Sequence, residues 1–286
     1  MEADVTDIFE NLRDWVGKRE VRKDIVMPWP ITALAVTVDD RQISAENGKP
    51  VPPGWHWIFF LEAKPASELG VDGHPKRGGF LPPVPLPRDM WAGGRIEFLR
   101  PLAIGEDITR ESEILSVEPK SGRTGNLVFV TVHHIVRAGT DTAIIEEQDI
   151  VYREAARQGD PLPPAKPAPA DAQWTRRVIP DSVMLFRYSA LTFNGHRIHY
   201  DKDYAINEEH YPGLVVHAPL QATLLLDLCR TKSDRPIKKF EYRAQHPMFA
   251  GHAFTVNGNF DTVTSRADLW TANEEGNYAM RGTAFF

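Results

Sequence analysis

The segment "VVHAPLQATLLLDLC", Val215 to Cys229, decides the fold of this 286-residue chain. Its apolar residues fall on every side of a helix, and good helix formers follow Pro219, a residue favoured in the first helical turn. Gly213 marks the preceding turn. A helix that is apolar all round must be buried, and a curved antiparallel sheet can enclose it. We therefore predict an α+β fold in which a sheet wraps this helix.

Two similar sets of strand-like segments indicate an internal duplication. "PLAIGEDIT" (Pro101 to Thr109) and "PMFAGHAFT" (Pro247 to Thr255) carry proline, glycine, an apolar residue and threonine at the same offsets. Segments with the alternation of strands follow each match, such as "GNLVFVTVHHIVRA" in the first half and "NYAMRGTAFF" in the second. The placement of the match within two similar strand orders favours a duplicated chain.

A proline-rich stretch separates the halves. "DPLPPAKPAPA" (Asp160 to Ala170) has the composition of a semi-rigid linker. We predict an N-terminal domain at 1–157, a linker at 158–171 and a C-terminal domain at 172–286. The first-half counterpart of the buried helix, "GGFLPPVPLPRDMWAGG" (Gly78 to Gly94), holds too many prolines for a good helix. We therefore expect a degenerate site in the first domain and the active site in the second.

Composition excludes several classes of protein. With a net charge of −6 and a pI near 5.9, the chain lacks the excess of basic residues expected of a nucleic-acid-binding protein. A single cysteine, Cys229, rules out an internal disulfide and a cysteine-rich metal site. No apolar run approaches the roughly 20 residues that cross a bilayer, and no secretory signal opens the chain. We expect a cytoplasmic protein without a membrane partner; the oligomeric state stays open, with a homodimer as one candidate.

A polar cluster, "RYSALTFNGHRIHYD" (Arg187 to Asp201), lies directly upstream of the helix. It resembles the signature of MaoC-like hydratases and dehydratases of acyl thioesters, Ser/Thr-Gly-Asp-x-Asn-Pro-x-His followed by Asp. Within this family, the sequence of the motif most resembles type 2 3-hydroxyacyl-thioester dehydratases. The first-half segment "FLPPVPLPRDMWAGG" is similar to sequences of the branch that hydrates itaconyl-CoA or mesaconyl-CoA. The resemblance spans nearly the whole chain and implies a double hot-dog fold, two tandem hot-dog domains.

The resemblance implies a catalytic set of three residues. Asn194 stands at the position of the catalytic Asp and His199 at that of the catalytic His; Ala218 replaces the Gly whose backbone N–H binds the thioester oxygen. A histidine suits the proton transfers because its pKa lies near neutrality. Asn194 cannot accept a proton, but its amide can hold a water molecule. Ala218 N–H begins a helix, where the dipole favours a developing oxyanion.

The sequence leaves the roles of several further residues open. Arg197 is expected to bind a carboxylate on the acyl group, against a surface ion pair. His217 either lines the pocket or caps the helix, and Tyr188 is expected to pack in the wall of the substrate site. A basic cluster is either a solvated loop or a site for CoA phosphates: Arg230, Lys232, Arg235, Lys238 and Lys239. We expect no metal and no cofactor apart from the CoA of the substrate.

The resulting hypothesis is a hydro-lyase that interconverts an enoyl-CoA and its hydrated form. The acyl group is expected to be a C5 dicarboxylic acid, with itaconyl-CoA or mesaconyl-CoA converted to citramalyl-CoA. A 3-hydroxyacyl-ACP dehydratase of fatty-acid synthesis is the alternative within the class. A hot-dog thioesterase and a non-catalytic acyl-CoA-binding module are the alternatives from other classes, because one fold hosts several functions.

Overall fold

The computed structural model describes residues 9, 11–122 and 125–286, and an antiparallel sheet dominates it. The strands are β1 (Arg19–Ile25), β2 (Arg88–Phe98), β3 (Asp107–Gly122), β4 (Gly125–Ala138), β5 (Asp141–Arg153), β6 (Trp174–Val178), β7 (Lys239–Ala244), β8 (Phe254–Asp261), β9 (Arg266–Asn273) and β10 (Tyr278–Phe285). The side chains of β4 alternate between buried and half-buried from Val128 onward, as its sequence predicts.

The two halves of the sheet have equivalent strand orders when each is followed outward from the centre. It runs β1-β3-β4-β5-β2 through the first half and β7-β10-β9-β8-β6 through the second. The halves meet where β2 pairs antiparallel with β7, with Gly94 opposite Tyr242. This symmetry is what a duplicated strand set produces. The expected double hot-dog architecture, an α+β fold, is confirmed by the structural relatives reported below.

The proline-rich segment lies outside the named strands. It touches the sheet through one isolated bridge, Pro167 to Asn277. The largest cluster of buried apolar side chains nevertheless draws on both halves, with Ile31 and Ile96 from the first and Leu224 and Phe254 from the second. Because the sheet and this core are continuous, the division into 1–157, 158–171 and 172–286 stays a prediction.

The predicted buried helix forms and is enclosed. The α-helices α1 (Pro28–Thr37), α2 (Ser182–Leu191), α3 (Lys202–Asn207) and α4 (Ala218–Lys232) connect the strands. In α4 every residue from Leu220 to Cys229 is buried, on all sides of the helix. Pro219 stands in the first turn, as expected, and 215–217 form the approach to the helix rather than its first residues.

The first half has a short turn where the second has α4. Residues 38–87 contain 3₁₀ turns and no α-helix, and the first of these turns, Trp55–Ile58, lies against α4. Its Trp55 indole donates to Asp227 Oδ1 at 3.1 Å. The predicted loss of the helix is therefore seen, although 88–94 of the proline-rich counterpart belong to β2 rather than to a loop. Among the described helices, none has the length and apolar character needed to cross a membrane.

The seam between the halves requires a residue without a side chain. A Cβ on Gly94 would lie 2.7 Å from the backbone oxygen of Glu147 and 2.7 Å from Tyr242 Oη. Both neighbours are fixed, one by the pairing of β2 with β5 and the other by burial. Gly94 therefore lets β5, β2 and β7 approach closely at the middle of the sheet.

We expect Gly94→Ala to lower the free energy of unfolding by about 1–3 kcal/mol, the usual cost of overpacking a tight site. Thermal and urea unfolding measure the change. Gly79→Ala is the matched control, since a Cβ there meets nothing within 4 Å, and it should shift stability by less than about 0.5 kcal/mol. Equal melting temperatures for the two variants would contradict a sterically closed seam.

Candidate active site

The polar cluster folds as a helix end followed by a tight loop. Asp181 caps α2 by accepting a hydrogen bond from Met184 N at 2.7 Å. After α2, Phe193 has φ 49°, in the left-handed region that favours glycine. The family pattern has glycine at this position. The strained turn at Phe193 aims the next side chain, Asn194, into a cleft between the halves.

This main cleft is defined by Asn194, His196, His199, Ala218, Gln221 and His246. The structure thus brings together the three residues expected to be catalytic, from the loop and from the start of α4. First-half residues, among them Arg88 and Gln148, form the opposite wall. The cleft is therefore built at the junction of the halves and belongs to neither alone.

The His199 ring has one defined tautomer. Nδ1 lies 2.7 Å from the backbone oxygen of Val215, which only accepts hydrogen bonds. Nδ1 therefore carries the proton, and Nε2 keeps its lone pair. Burial lowers the pKa of His199 to about 4, with the nearby His74 charge adding to the effect. At neutral pH His199 is an uncharged imidazole ready to accept a proton.

The Asn194 amide is also oriented. Its Oδ1 accepts a hydrogen bond from His196 N at 2.9 Å, which assigns the other end of the amide as NH₂. The side chain therefore offers the cleft a donor and no base. Asn194 N is itself held by Ser189 O at 2.8 Å. This arrangement suits a group that positions a water oxygen.

Ala218 N–H is available at the start of α4. The described part of the chain provides it with no hydrogen-bond acceptor, and Ala218 lines the main cleft. The segment before it is fixed, since Val215 N donates to Ile198 O at 2.9 Å and Val216 N to Met248 O at 2.8 Å. An unpaired N–H at a helix N-terminus stabilises an anion.

His217 supports the His199 ring from behind. The two rings stack at a centroid distance of 3.6 Å and an interplanar angle of 18°. His217 is buried and outside the lining of the main cleft, and its side chain makes no helix-capping hydrogen bond. Its Nε2 lies 2.9 Å from Ser189 Oγ. His217 thus stands at the N-cap position of α4 without a side-chain cap, and its ring packs on the candidate base.

Tyr188 lies one layer deeper. It is fully buried, its ring lies 5.0 Å from that of His217, and it lines a second groove with Trp57, Phe60 and Arg110. Burial raises the pKa of Tyr188 well above its ordinary value, which keeps the phenol protonated. The structure thus places Tyr188 in a wall, with no position in the main cleft.

Arg197 is not brought to the main cleft. Its guanidinium donates to Asp201 Oδ2 at 3.0 and 2.8 Å and to Val71 O at 3.0 Å. It also stacks over Tyr204 at 4.1 Å. These contacts orient the Arg197 side chain towards the surface and connect the loop that carries Arg197 to Val71 of the first half. The expected contact with a substrate carboxylate has no support in this geometry.

The basic cluster, which runs from the last turn of α4 to the start of β7, also lies outside the lining of the main cleft. Arg230 pairs with Asp40, Arg235 donates to Ser265, and Lys239 pairs with Glu241. Cys229 is buried, and burial raises the pKa of its thiol to about 12, in keeping with an inert residue. The cations that do line the main cleft include Arg88 and Arg153 from the first half.

Sequence reasoning missed a loop of the first half, Gly70 to His74. A Cβ on Gly73, which has φ 90°, would lie 1.9 Å from Gly195 O, and Arg197 N donates to Asp72 O at 2.8 Å. The loop therefore lies directly on residues 194–199, the segment that carries the candidate catalytic residues Asn194 and His199. The dipeptide Asp72-Gly73 is a turn signal, but its partner Gly195 is 122 positions away and leaves no local trace.

This contact creates a set of potential metal ligands. Asp72, His74 and His196 each bring a ligand atom within 4.8 Å of the others. The His74 and His196 rings lie 4.2 Å apart, and His74 Nδ1 faces Asp72 Oδ2 at 3.4 Å. The Asp72–His74 pair and the tilted packing of the two rings account for these contacts, and the expected absence of a metal stays a prediction.

Comparison with known proteins finds relatives across nearly the whole chain. The sequence model of the family "hydroxyacyl-thioester dehydratase type 2" matches residues 54–250. The chain is 45% identical over 274 residues to the mesaconyl-C(4)-CoA hydratase of Chloroflexus aurantiacus, covering 94% of this chain and 95% of the relative. It is 27% identical to the mitochondrial hydroxyacyl-thioester dehydratase type 2 of Schizosaccharomyces pombe, covering 89% and 93%.

Solved structures resemble the fold at low identity. A MaoC-like dehydratase superposes with a TM-score of 0.69 at 15% identity, covering 94% of this chain and 97% of its own. A Mycobacterium tuberculosis protein described as having a double hot-dog fold gives 0.59 at 12%, covering 97% of each chain. These matches confirm the double hot-dog fold.

We expect His217 to make unfolding pH-dependent. Burial and the neighbouring His199 lower its pKa well below the ordinary value, whereas the unfolded chain titrates near 6.5. Folding thus depresses this pKa, so stability is lost as pH falls below about 6.5. His217→Gln should reduce the slope of unfolding free energy against pH between 5 and 6 by about 1 kcal/mol per unit. Urea titrations measure it; exposed His252→Gln should leave the slope unchanged, and equal slopes for all three proteins would contradict a buried neutral His217.

Proposed function

Because this chain belongs to the hydroxyacyl-thioester dehydratase type 2 family, it is a hydro-lyase, and we propose that it hydrates an enoyl-CoA carrying a C5 dicarboxylic acyl group. The observation that carries the proposal is the His199 tautomer, with Nδ1–H held by Val215 O and the basic Nε2 left for the cleft. The relative named mesaconyl-C(4)-CoA hydratase suggests the acyl group, with mesaconyl-CoA or itaconyl-CoA converted to citramalyl-CoA.

His199 and Asn194 act together on the attacking water in this proposal. The Asn194 NH₂ group donates to the water oxygen, and His199 Nε2 accepts one of the water protons. The oxygen then adds to the β-carbon of the conjugated double bond. Since the Asn194 Oδ1 is held by His196 N, the amide keeps the orientation that this step needs.

Ala218 N–H stabilises the charge that develops on the thioester oxygen. Addition at the β-carbon leaves an enolate, and the helix N-terminus places a donor and a positive dipole end beside that oxygen. The protonated His199 then returns its proton to the α-carbon. Since one imidazole removes and returns the proton, hydroxyl and proton add to the same face of the double bond.

His217 keeps the base ready in two ways. Its ring covers one face of His199 at 3.6 Å and excludes water from that side. Its own burial keeps it neutral, so His217 adds no charge beside the imidazolium that forms during turnover. A positioning role fits these contacts better than a contact with substrate.

The alternatives draw no specific support from the site. The main cleft offers a base, a water-holding amide and an oxyanion donor, which is the set for hydration. No described feature favours a thioesterase, a carrier-protein substrate or a non-catalytic binding module. The substrate partner is thus an acyl-CoA, with CoA entering as part of the substrate; a cofactor-free reaction, a homodimer and a cytoplasmic location stay predictions.

We expect the purified protein to hydrate mesaconyl-C4-CoA, with loss of the enoyl-thioester absorbance and formation of a citramalyl-CoA identified by mass spectrometry. His199→Ala should lose at least about two orders of magnitude in kcat, the low end for removal of a general base. Because the pKa of His199 is lowered to about 4 and the base acts unprotonated, kcat should stay level from pH 8 down to about pH 5. A His199→Ala variant with near-native kcat would refute the assignment.

We expect Asn194→Ala to slow turnover by roughly 10- to 100-fold, the effect of one lost hydrogen bond to the reacting water. Asn194→Asp should retain more activity than Asn194→Ala, because the carboxylate also holds water and can accept its proton. Steady-state kinetics with mesaconyl-C4-CoA measure both. If Asn194→Ala matches the parent, the amide has no part in the chemistry.

A further inference from the structure

This inference rests on the proposed function and concerns the free carboxylate of the acyl group. In mesaconyl-C4-CoA that carboxylate is attached to the β-carbon, the atom that receives the hydroxyl. Its binding partner must therefore lie beside His199 and Asn194, rather than at the far end of a chain-binding tunnel. A carboxylate that leaves water needs a charged or hydrogen-bonding partner, since burying it unpaired is expensive.

Two arginines near the site already form ion pairs with acidic residues of the chain. Arg197 is bound to Asp201 and faces away from the main cleft. Arg88 lines the main cleft, but its guanidinium lies 2.6 Å from Glu209 and stacks on Tyr211 at 4.6 Å. The Arg88–Glu209 pair is buried on both sides and so is neutral as a unit. Neither residue offers an uncompensated cation to a ligand.

Arg153 also lines the main cleft, but no described contact connects it to His199 or Asn194, whereas ring contacts connect His74 to the candidate base. His74 lines both the main cleft and the second groove, which meet at Asn194. The His74 ring lies 4.2 Å from that of His196, and the His196 ring lies 5.5 Å from that of His199. Two ring contacts thus connect His74 to the candidate base.

The two nitrogens of His74 have different surroundings. Nδ1 faces Asp72 Oδ2 at 3.4 Å and Asp89 Oδ1 at 3.6 Å. Both carboxylates are acceptors, so their position favours a proton on Nδ1 and a positive charge on the ring. The ring is therefore biased towards the imidazolium form, in which Nε2 is also a donor. No described hydrogen bond occupies Nε2.

The loop that carries His74 is held in place by backbone contacts. Gly73 and Gly195 approach so closely that a Cβ on either would clash with the other's backbone oxygen. Arg197 donates from its backbone to Asp72 O at 2.8 Å and from its side chain to Val71 O. His74 is thus positioned on the catalytic loop before substrate arrives, which limits the ordering cost of using it.

We propose that His74, supplied by the first half, binds the free carboxylate of the dicarboxylic acyl group through Nε2–H. Asp72 and Asp89 hold the ring from the Nδ1 side and keep it a cation. The contact selects acyl groups with a carboxylate on the β-carbon, and it makes the first half part of the specificity of the active site.

The test compares two substrates that differ at this group. Crotonyl-CoA has no carboxylate, so it does not use the contact. His74→Gln should lower the ratio of kcat/KM for mesaconyl-C4-CoA over crotonyl-CoA by roughly 10- to 150-fold, the range for a charge-assisted hydrogen bond. The loss should appear mainly in KM for mesaconyl-C4-CoA, because the carboxylate is bound in the ground state and the transition state alike. Assays contain EDTA, so that a metal on Asp72, His74 and His196 does not contribute.

Two further variants make the result decisive. His74→Lys keeps a cationic donor and should retain more of the selectivity ratio than His74→Gln. His252 pairs with Glu274 at 3.5 Å but is 71% exposed and outside both grooves; His252→Gln should leave the ratio unchanged. Activity on crotonyl-CoA reports whether each variant is folded.

Three outcomes would overturn the inference. Equal losses on both substrates would assign His74 to the support of the loop, and no loss on either substrate would remove it from recognition altogether. Both results leave the proposed function intact, since the parent still hydrates mesaconyl-C4-CoA. A parent enzyme that turns over crotonyl-CoA but not mesaconyl-C4-CoA would refute the dicarboxylic substrate itself, and the role of His74 with it.

Discussion

The complete burial of α4 is the constraint on which the rest of the structure depends. A helix with Leu220 to Cys229 enclosed on every side needs a partner surface on every side. One half of the sheet supplies five strands, and the Trp55–Ile58 turn of the first half closes the remaining face. The two halves therefore share one core, and the N-terminus of α4 comes to lie at their junction.

That position gives the cleft its chemistry. The N–H of Ala218 stays free because a helix cannot satisfy its own first donors, and the approach segment 215–217 fixes His199 through Val215 O. Burial then makes the imidazole a neutral base, stacked on His217. The same packing that stabilises the fold thus sets the tautomer and the pKa of the candidate base.

The first half contributes more than a degenerate repeat of the second. The first half has a short turn in place of a central helix. Side chains from its strands β2 and β5 and from the 70–75 loop line the main cleft, where the candidate catalytic residues of the second half lie. The Gly73–Gly195 contact and the bonds of Arg197 to this loop hold the two surfaces in register. Arg197, which its sequence position marks as a substrate ligand, serves instead in this contact between the halves.

The sequence by itself determined the features that depend on local pattern. All-round apolarity predicted that α4 is buried, alternation predicted the long strands, and the resemblance to the MaoC-like signature placed the candidate residues Asn194, His199 and Ala218 after the proline-rich segment. Only the tertiary structure decided which polar groups share that site. His74 and His196 come together across 122 positions, and Arg197 turns to Asp201 rather than the cleft. Such choices depend on which neighbour satisfies each charge once water is removed, and the chain order does not encode that neighbour.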